Sequence, residues 1–449
     1  MNVILTKFKL LDSRKLVNFG KYFLISLLLL LGLHLAAHAN NPEVIIQPEW
    51  TVNLQASTEM ITTGDRLFVV ANSKHDPETE DYSATLFAIN TESGKELWQQ
   101  KLPNYQTLGN RKLILDDGFI YVSHDRGVVG FDMQTGTPQF SLTYDDQTRS
   151  GIRDRLMGVH KGIIIYGDSI PTKDSDFTSR TEYQTKVFGF NVFGKDKMLW
   201  SYQLPKTNGL IDIPAIKTLV QNGILLLPSF HDKGTNRIEQ FTVIDVTSGK
   251  ILWNWESKER DSLYGASVWE DTLYTSVFGN SDMKSSGRLR AIDLKTGKEK
   301  WSYVITGKVK AVSDREVYVW QSNGNSGNNF VVLDKETGRF LRRFELPRVY
   351  YDEPPDLVLA DGLIYVFDME IKNATFGFYG SADNNSWISA FDAKTGKLVW
   401  RTPTLMNTHV YHLPVISDVD PKSGKRKLIF ASNFLRKEGS SKLQAFSIP

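Results

Sequence analysis

The stretch LRAIDLKTGKEKW, residues 289–301, reads as an apolar strand, a tight polar turn and a second strand that ends on an indole. Six further copies surround it: LFAINTESGKELW (86–98), VVGFDMQTGTPQF (128–140), VFGFNVFGKDKMLW (187–200), FTVIDVTSGKILW (241–253), FVVLDKETGRFLR (330–342) and ISAFDAKTGKLVW (388–400). A phrase repeated at such intervals marks a repeat architecture, because one hairpin cannot bury its own apolar face and needs neighbours of the same kind.

Each position of the phrase has a physical task. The first strand is rich in β-branched and aromatic residues and carries a small residue near its middle, at Ala88, Gly130, Gly189, Ala291 and Ala390. That small residue is expected to let a neighbouring sheet approach closely. Asp or Asn follows at 90, 132, 191, 245, 293, 334 and 392, where a short side-chain acceptor fixes a turn by bonding the next backbone N–H groups. Gly94, Gly136, Gly249, Gly297, Gly338 and Gly396 stand four residues later, where the turn needs positive φ. The third copy departs, with Gly194 only three residues after Asn191, and a modified turn is expected there.

Four residues past the glycine stands Trp98, Trp253, Trp301 or Trp400, with Phe140 and Arg342 as substitutes, and Trp200 closes the third copy. A large flat ring at one place in every unit suits packing between units better than a ligand cage. A fainter hairpin precedes each phrase, as in ILDDGFIYVS and LVLADGLIYVF, so a unit is four antiparallel strands. An eighth such hairpin, SDVDPKSGKRKLIFAS (417–432), is followed only by KLQAFSIP. Its outer strand is expected from the other end of the chain, where IIQPEWTVNL (45–54) carries Trp50 in the matching place. The fold class is therefore all-β: an eight-bladed β-propeller of four-stranded antiparallel blades, its ring closed when the N-terminal strand completes the last blade.

The phrase AFDAKTGKLVW, Ala390 to Trp400, resembles the tryptophan-docking repeat of the PQQ-like (quinoprotein alcohol dehydrogenase-like) β-propeller superfamily, related in style to WD40 and YVTN propellers. The resemblance runs through nearly the whole chain from residue 40 and implies one propeller domain over 40–449. It implies no single function, since the superfamily contains quinone dehydrogenases as well as non-catalytic scaffolds of the outer-membrane assembly factor BamB type. The dehydrogenases hold pyrroloquinoline quinone (PQQ) beside calcium against a ring of two adjacent cysteines. The chain has no cysteine, and it equally lacks the lipidated cysteine of the BamB lipoproteins.

Composition narrows the rest. With 53 Lys and Arg against 51 Asp and Glu, the +2 balance offers no field to gather nucleic acid, and the absence of Cys removes disulfides and thiolate chemistry. Lys7, Lys9, Arg14, Lys15 and Lys21 precede an apolar run from Tyr22 to Ala37 and the small residues Ala37 and Ala39, so residues 1–39 read as a signal peptide. The body is then periplasmic or secreted, with membrane contact only if that segment stays uncleaved.

Candidate sites are few. Asp418 and Asp420, followed by Gly424, resemble a D-x-D calcium loop, although Lys422 replaces a third oxygen ligand and a plain hairpin turn is the simpler reading. His409 and His412 lack an evident carboxylate partner. The long connections share one face, and on them Tyr350, Tyr351, Phe376, Phe378 and Tyr379 are aromatics of the kind that anchor protein partners. The reading is a monomeric extracytoplasmic scaffold for envelope or secreted proteins, with no cofactor expected and no catalytic residue; a PQQ- and calcium-dependent dehydrogenase is the alternative. Trp50, Trp98, Trp200, Trp253, Trp301 and Trp400 are assigned to docking between blades.

Overall fold

The phrase forms the two outer strands of each blade. In the computed structural model the strand that opens the repeat pairs antiparallel with the strand that ends in the ring, for example Ala291 opposite Trp301 and Ala390 opposite Trp400. The structure describes residues 44–448 apart from 55–56, 76–81, 103–111, 125–126, 144–155, 172–182, 195–196, 205–219, 234–235, 257–261, 279–286, 322–327, 347–356, 372–383, 407, 410–413 and 435–440. Residues 1–39, expected from the sequence to be a signal peptide, therefore lie outside the described residues.

Eight antiparallel sheets follow one another along the chain. Blades 1 to 7 span residues 57–101, 113–143, 156–203, 220–256, 262–304, 307–346 and 358–401, and the eighth is built from 415–447 with the N-terminal strand Trp50–Leu54. The first strand of each blade is innermost and touches the first strands of its neighbours, with that of blade 1 meeting that of blade 8, except that the first strand of blade 5 meets the third strand of blade 4. Blades 7 and 8 each gain a fifth short strand, Leu405–Met406 and Thr408–His409, from the connection between them.

Closure follows the expected register. Trp50 lies opposite Ala445 and Leu54 opposite Ser441, so the strand that begins the propeller supplies the outer edge of its last sheet. A buried lysine secures it: the Lys427 ammonium bonds Glu49, just before that strand, and reaches Glu92 in blade 1 at 3.3 Å. Ser447 also donates to Glu49.

The ring residue of each outer strand joins two blades. Its indole N–H donates to the backbone carbonyl one residue past the turn Asp or Asn of the next blade: Trp50 to Thr91 at 2.8 Å, Trp98 to Met133 at 3.3 Å, Trp200 to Val246 at 2.7 Å, Trp253 to Leu294 at 2.9 Å and Trp301 to Lys335 at 2.7 Å. The ring then lies flat against the turn glycine. A methyl group at Gly338, whose φ is +67°, would sit 2.5 Å from the Trp301 ring, and one at Gly297 2.7 Å from Trp253. Glycine is thus required twice over, for its φ and for the space.

One expectation is corrected. The small residue inside the repeat was assigned to the approach of a neighbouring sheet, but a methyl at Gly130 would lie 2.0 Å from Phe140, and one at Gly189 2.4 Å from Trp200, each a ring of its own blade. The ring crosses its own sheet before it reaches the next, so the third strand must be stripped bare beneath it. The second strand supplies a further large residue at that register: Phe68, Tyr121, Tyr274 and Tyr365 pack their rings 5.4 to 5.9 Å from Trp98, Phe140, Trp301 and Trp400.

Two measurements follow. Trp301→Ala is expected to lose about 3–5 kcal/mol in urea unfolding, and Trp301→Phe about 1 kcal/mol beyond its packing change, for the lost N–H bond; a Trp301→Phe loss no larger than its packing change would remove the bond from the account. At the closure, burial pushes the Glu49 carboxyl up, but hydrogen bonds from Lys427 and Ser447 more than offset this and hold it below its ordinary range. Burial pulls Lys427 down while Glu49 and Glu92 raise it above its ordinary value. The Glu49 contribution is therefore lost as pH falls from the unfolded carboxyl range through the lower folded value, and the Lys427 contribution as pH rises through the raised lysine value. Lys427→Met is expected to flatten the acid limb of melting temperature against pH, read by circular dichroism.

Candidate functional site

Two faces of the ring differ in kind. On one, blades 1 to 7 each present two tight turns, and these are bonded to each other, as in Thr91 N–H to Asp65 O at 2.9 Å and Leu294 N–H to Asp271 O at 2.8 Å. The inner turns adopt positive φ at Asp117, Lys161, Asn222 and Asp361 and at the glycine after each, the type I′ geometry that suits a two-residue hairpin. The outer turns use the expected side-chain acceptor. The N–H three residues on reaches Asn90, Asp132, Asp245, Asp293, Asp334 and Asp392 at 2.7 to 3.0 Å. Hydroxyl and backbone donors of Thr296, Thr337 and Thr395 hold the Asp293, Asp334 and Asp392 carboxyls below the usual range.

Asp418 and Asp420 lie on this same face and their carboxylates have separate uses. Asp420 accepts from the backbone of Lys422 at 3.1 Å and Ser423 at 2.8 Å, as the turn acids of the other blades do, and its pKa is lowered by the Ser423 hydroxyl and those N–H groups. Asp418 reaches across the closure to the Gly64 N–H of blade 1 at 2.6 Å. Asp116 makes the same reach from blade 2 to Gly162 of blade 3 at 2.9 Å. Among the described residues no group of three or more His, Asp or Glu is placed to hold a metal.

Three junctions depart from the indole pattern. Between blades 2 and 3, Phe140 replaces Trp, and the modified turn sends Phe193 over Gly162, with its ring 4.9 Å from Phe119 and 6.3 Å from Phe140. Between blades 6 and 7 the role of one tryptophan is divided. Arg342 donates to Ala393 O at 2.8 Å, where an indole would, while Phe344 packs over the turn glycine Gly396. The guanidinium charge is met within blade 6 by Glu316, in a two-pronged pair at 2.6 and 2.8 Å, and Tyr318 donates to the same carboxylate at 2.6 Å. Those bonds from Arg342 outweigh burial and keep Glu316 well below the carboxyl range. Between blades 7 and 8, Trp400 is buried but makes no such bond among the described residues. The substitution at Arg342 is visible in sequence; its partner Glu316, 26 residues upstream in another strand, carries no local signal.

The opposite face carries the long connections. Hairpins of blades 1, 3, 4 and 7 run on beyond the sheets as strands of nine or ten residues, and in blade 4 the pairing continues through Asp232 opposite Arg237 to Lys233 opposite Asn236. In blade 2 the corresponding strands have six residues. These projecting hairpins form the candidate site: a variable face above an invariant ring. The aromatics Tyr350, Tyr351, Phe376, Phe378 and Tyr379 lie outside the described residues, as does His412. His409 pairs through its backbone with Asn433 at the seam of blades 7 and 8.

A family model described as outer membrane protein assembly factor BamB matches residues 47–210 and 195–313. Among curated proteins, the dehydrogenase subunit of alcohol dehydrogenase (quinone) from Gluconobacter oxydans is 26% identical over 224 residues, 48% of this chain and 22% of its own length. The serine/threonine-protein kinase AfsK from Streptomyces griseus is 26% identical over 191 residues, 37% of this chain and 21% of the kinase. The match thus spans about a fifth of each relative. Of solved structures, BamB from Moraxella catarrhalis aligns with a TM-score of 0.39 at 11% identity, over 72% of this chain and 97% of that one. A europium-containing methanol dehydrogenase aligns with a TM-score of 0.42 at 15% identity, over 89% and 93%.

Replacing Arg342 by Ala strands a half-buried Glu316 and breaks the bond to Ala393, and is expected to cost about 2–3 kcal/mol. Arg342→Lys should recover less than half of that, since an ammonium cannot span both carboxylate oxygens and the carbonyl. Full recovery in urea unfolding would show the planar fork to be dispensable.

Proposed function

Because the chain belongs to the PQQ-like propeller family described as outer membrane protein assembly factor BamB, we propose that it is a non-catalytic, extracytoplasmic scaffold that binds other envelope proteins through its long-connection face. One observation carries the reading. Each carboxyl whose pKa is displaced among the described residues is displaced downward, and each has a structural partner. The turn acids hold their own loops, Glu49 holds the closure, Glu316 holds Arg342 and Asp271 holds Lys300. The described acids of the ring are thus engaged in its architecture.

A quinone-dependent dehydrogenase is the second reading, favoured by the similarity to the Gluconobacter oxydans enzyme. Its cofactor fits poorly with the donors present. The chain has no cysteine for the disulfide ring, and the described acids do not gather in threes. No catalytic step is assigned through a quinone.

The scaffold reading supports binding by extended segments or loops of a partner against the projecting hairpins, where backbone edges and aromatic anchors supply the contact. The test has two arms. Capture of defined envelope proteins by the immobilised chain should be lost in a variant with Tyr350, Tyr351, Phe376, Phe378 and Tyr379 changed to Ala while melting is unchanged. Dye-linked alcohol or sugar oxidation after loading with PQQ and Ca²⁺ should stay at background; turnover of about 1 s⁻¹ or more overturns the scaffold reading.

A further inference from the structure

The outer strands carry apolar side chains that the fold does not use. Just past the tight turn, Phe340 and Leu341 of blade 6 and Leu398 and Val399 of blade 7 are 37 to 46% exposed, and Val419, on the tight-turn face of blade 8, is 48% exposed. A bulge creates the pairs. Leu341 and Val399 are skipped in the pairing with the third strand, which breaks the alternation that would turn one residue of each pair inward. The same bulge holds Glu299 and Lys300 in blade 5 and Pro138 and Gln139 in blade 2. The register therefore tolerates charge, and the apolar pairs of blades 6 and 7 answer to something outside the ring.

Two observations indicate what meets them. The first is charge: exposed cations are set among the apolar side chains, Arg339 before the first pair, Lys394 and Lys397 before the second, and Lys422 and Lys425 after Val419. The acids of the same turns, Asp334, Asp392 and Asp420, are engaged by backbone N–H groups. Aliphatic and aromatic side chains among Lys and Arg suit an anionic lipid surface, with the cations at the headgroups and the apolar groups beneath them. The second is the path of the chain. Trp50 opposite Ala445 takes the register of Trp98 opposite Ala88, so the N-terminal strand, like the other outer strands, starts at the tight-turn end. Ahead of it, the Ile46 N–H donates to Arg401 O of blade 7 at 3.1 Å. Only residues 38–45 separate Ile46 from the apolar run Tyr22–Ala37 and the basic stretch before it, a reach of at most about 30 Å. A membrane that receives that run is met first by the rim of blades 7 and 8.

We propose that the tight-turn rim of blades 6 to 8 is a docking surface for an anionic phospholipid bilayer, into which Phe340, Leu341, Leu398, Val399 and Val419 dip. Docked in this way, the propeller turns its long connections away from the lipid and leaves that face open to partners. Blades 3 and 4 carry similar exposed pairs, Met198 with Leu199 and Ile251 with Leu252, but they stand four blades away in the ring of eight, on the side far from Ile46. The surface uses none of the residues assigned to partner binding, so it stands whether or not the chain is a scaffold.

The test uses the full chain, whose lack of cysteine allows one labelled site at a time. An environment-sensitive dye is attached to Leu341→Cys, Val399→Cys, Leu199→Cys or Leu252→Cys, and vesicles of phosphatidylethanolamine and phosphatidylglycerol with a quencher in their acyl chains are added. The dye is expected to be quenched at the first two sites and to stay in water at the last two. Changing Arg339, Lys394, Lys397 and Lys422 to Gln in the labelled chains should lower the ratio of docked to free dye about tenfold. Quenching at all four sites alike, quenching at none, or quenching that the Gln changes leave untouched overturns the proposal. So does a dye response that rises with protein concentration in the absence of vesicles, which would make the rim a contact between copies of the chain.

Discussion

The structure depends on one interaction, an indole laid across its own sheet and bonded through its N–H to the next. The ring buries apolar surface on both sides, but burial has no direction. The N–H bond does: it selects a single carbonyl of the adjoining blade and so sets the offset between neighbouring sheets. Glycine at the turn lets the ring lie flat, and the small residue on the third strand lets it pass beneath. Five junctions use that device and a sixth copies it with Arg342 and Phe344.

The exceptions are instructive. Where the indole is lost between blades 2 and 3, additional rings from a modified turn fill the space, and the directional bond comes from the Gly162 N–H to Asp116 instead. Where it is lost between blades 6 and 7, direction is kept and the packing is supplied by a second residue. At the closure, charge does the work: Lys427 ties the first strand to the last sheet and to blade 1, a position where strand pairing alone would leave the two chain ends free to fray.

The recurring acids are engaged by turn N–H groups, and Tyr121 and Tyr274 are buried and pushed above their ordinary range. Variation is confined to the opposite face, where the hairpins of four blades run past the sheet and the connections differ in length and composition. Membership of the family therefore carries the fold further than the activity.

The sequence by itself determined the four-stranded unit, the eight-fold count, the turn acids and glycines, and the origin of the closing strand at residues 45–54. All of these rest on local chemistry repeated at fixed spacing, and repetition makes a local signal legible. It also showed that Phe140 and Arg342 break the pattern. Only the tertiary structure decided what the breaks mean: that the small residue serves its own blade's ring, that Arg342 meets Glu316 and Ala393, that Lys427 reaches two carboxylates distant in the chain, and that Trp400 is left without an acceptor among the described residues. The contacts of Arg342 and Lys427 each join residues that occur once, far apart in sequence, and a unique long-range pair leaves no periodic trace.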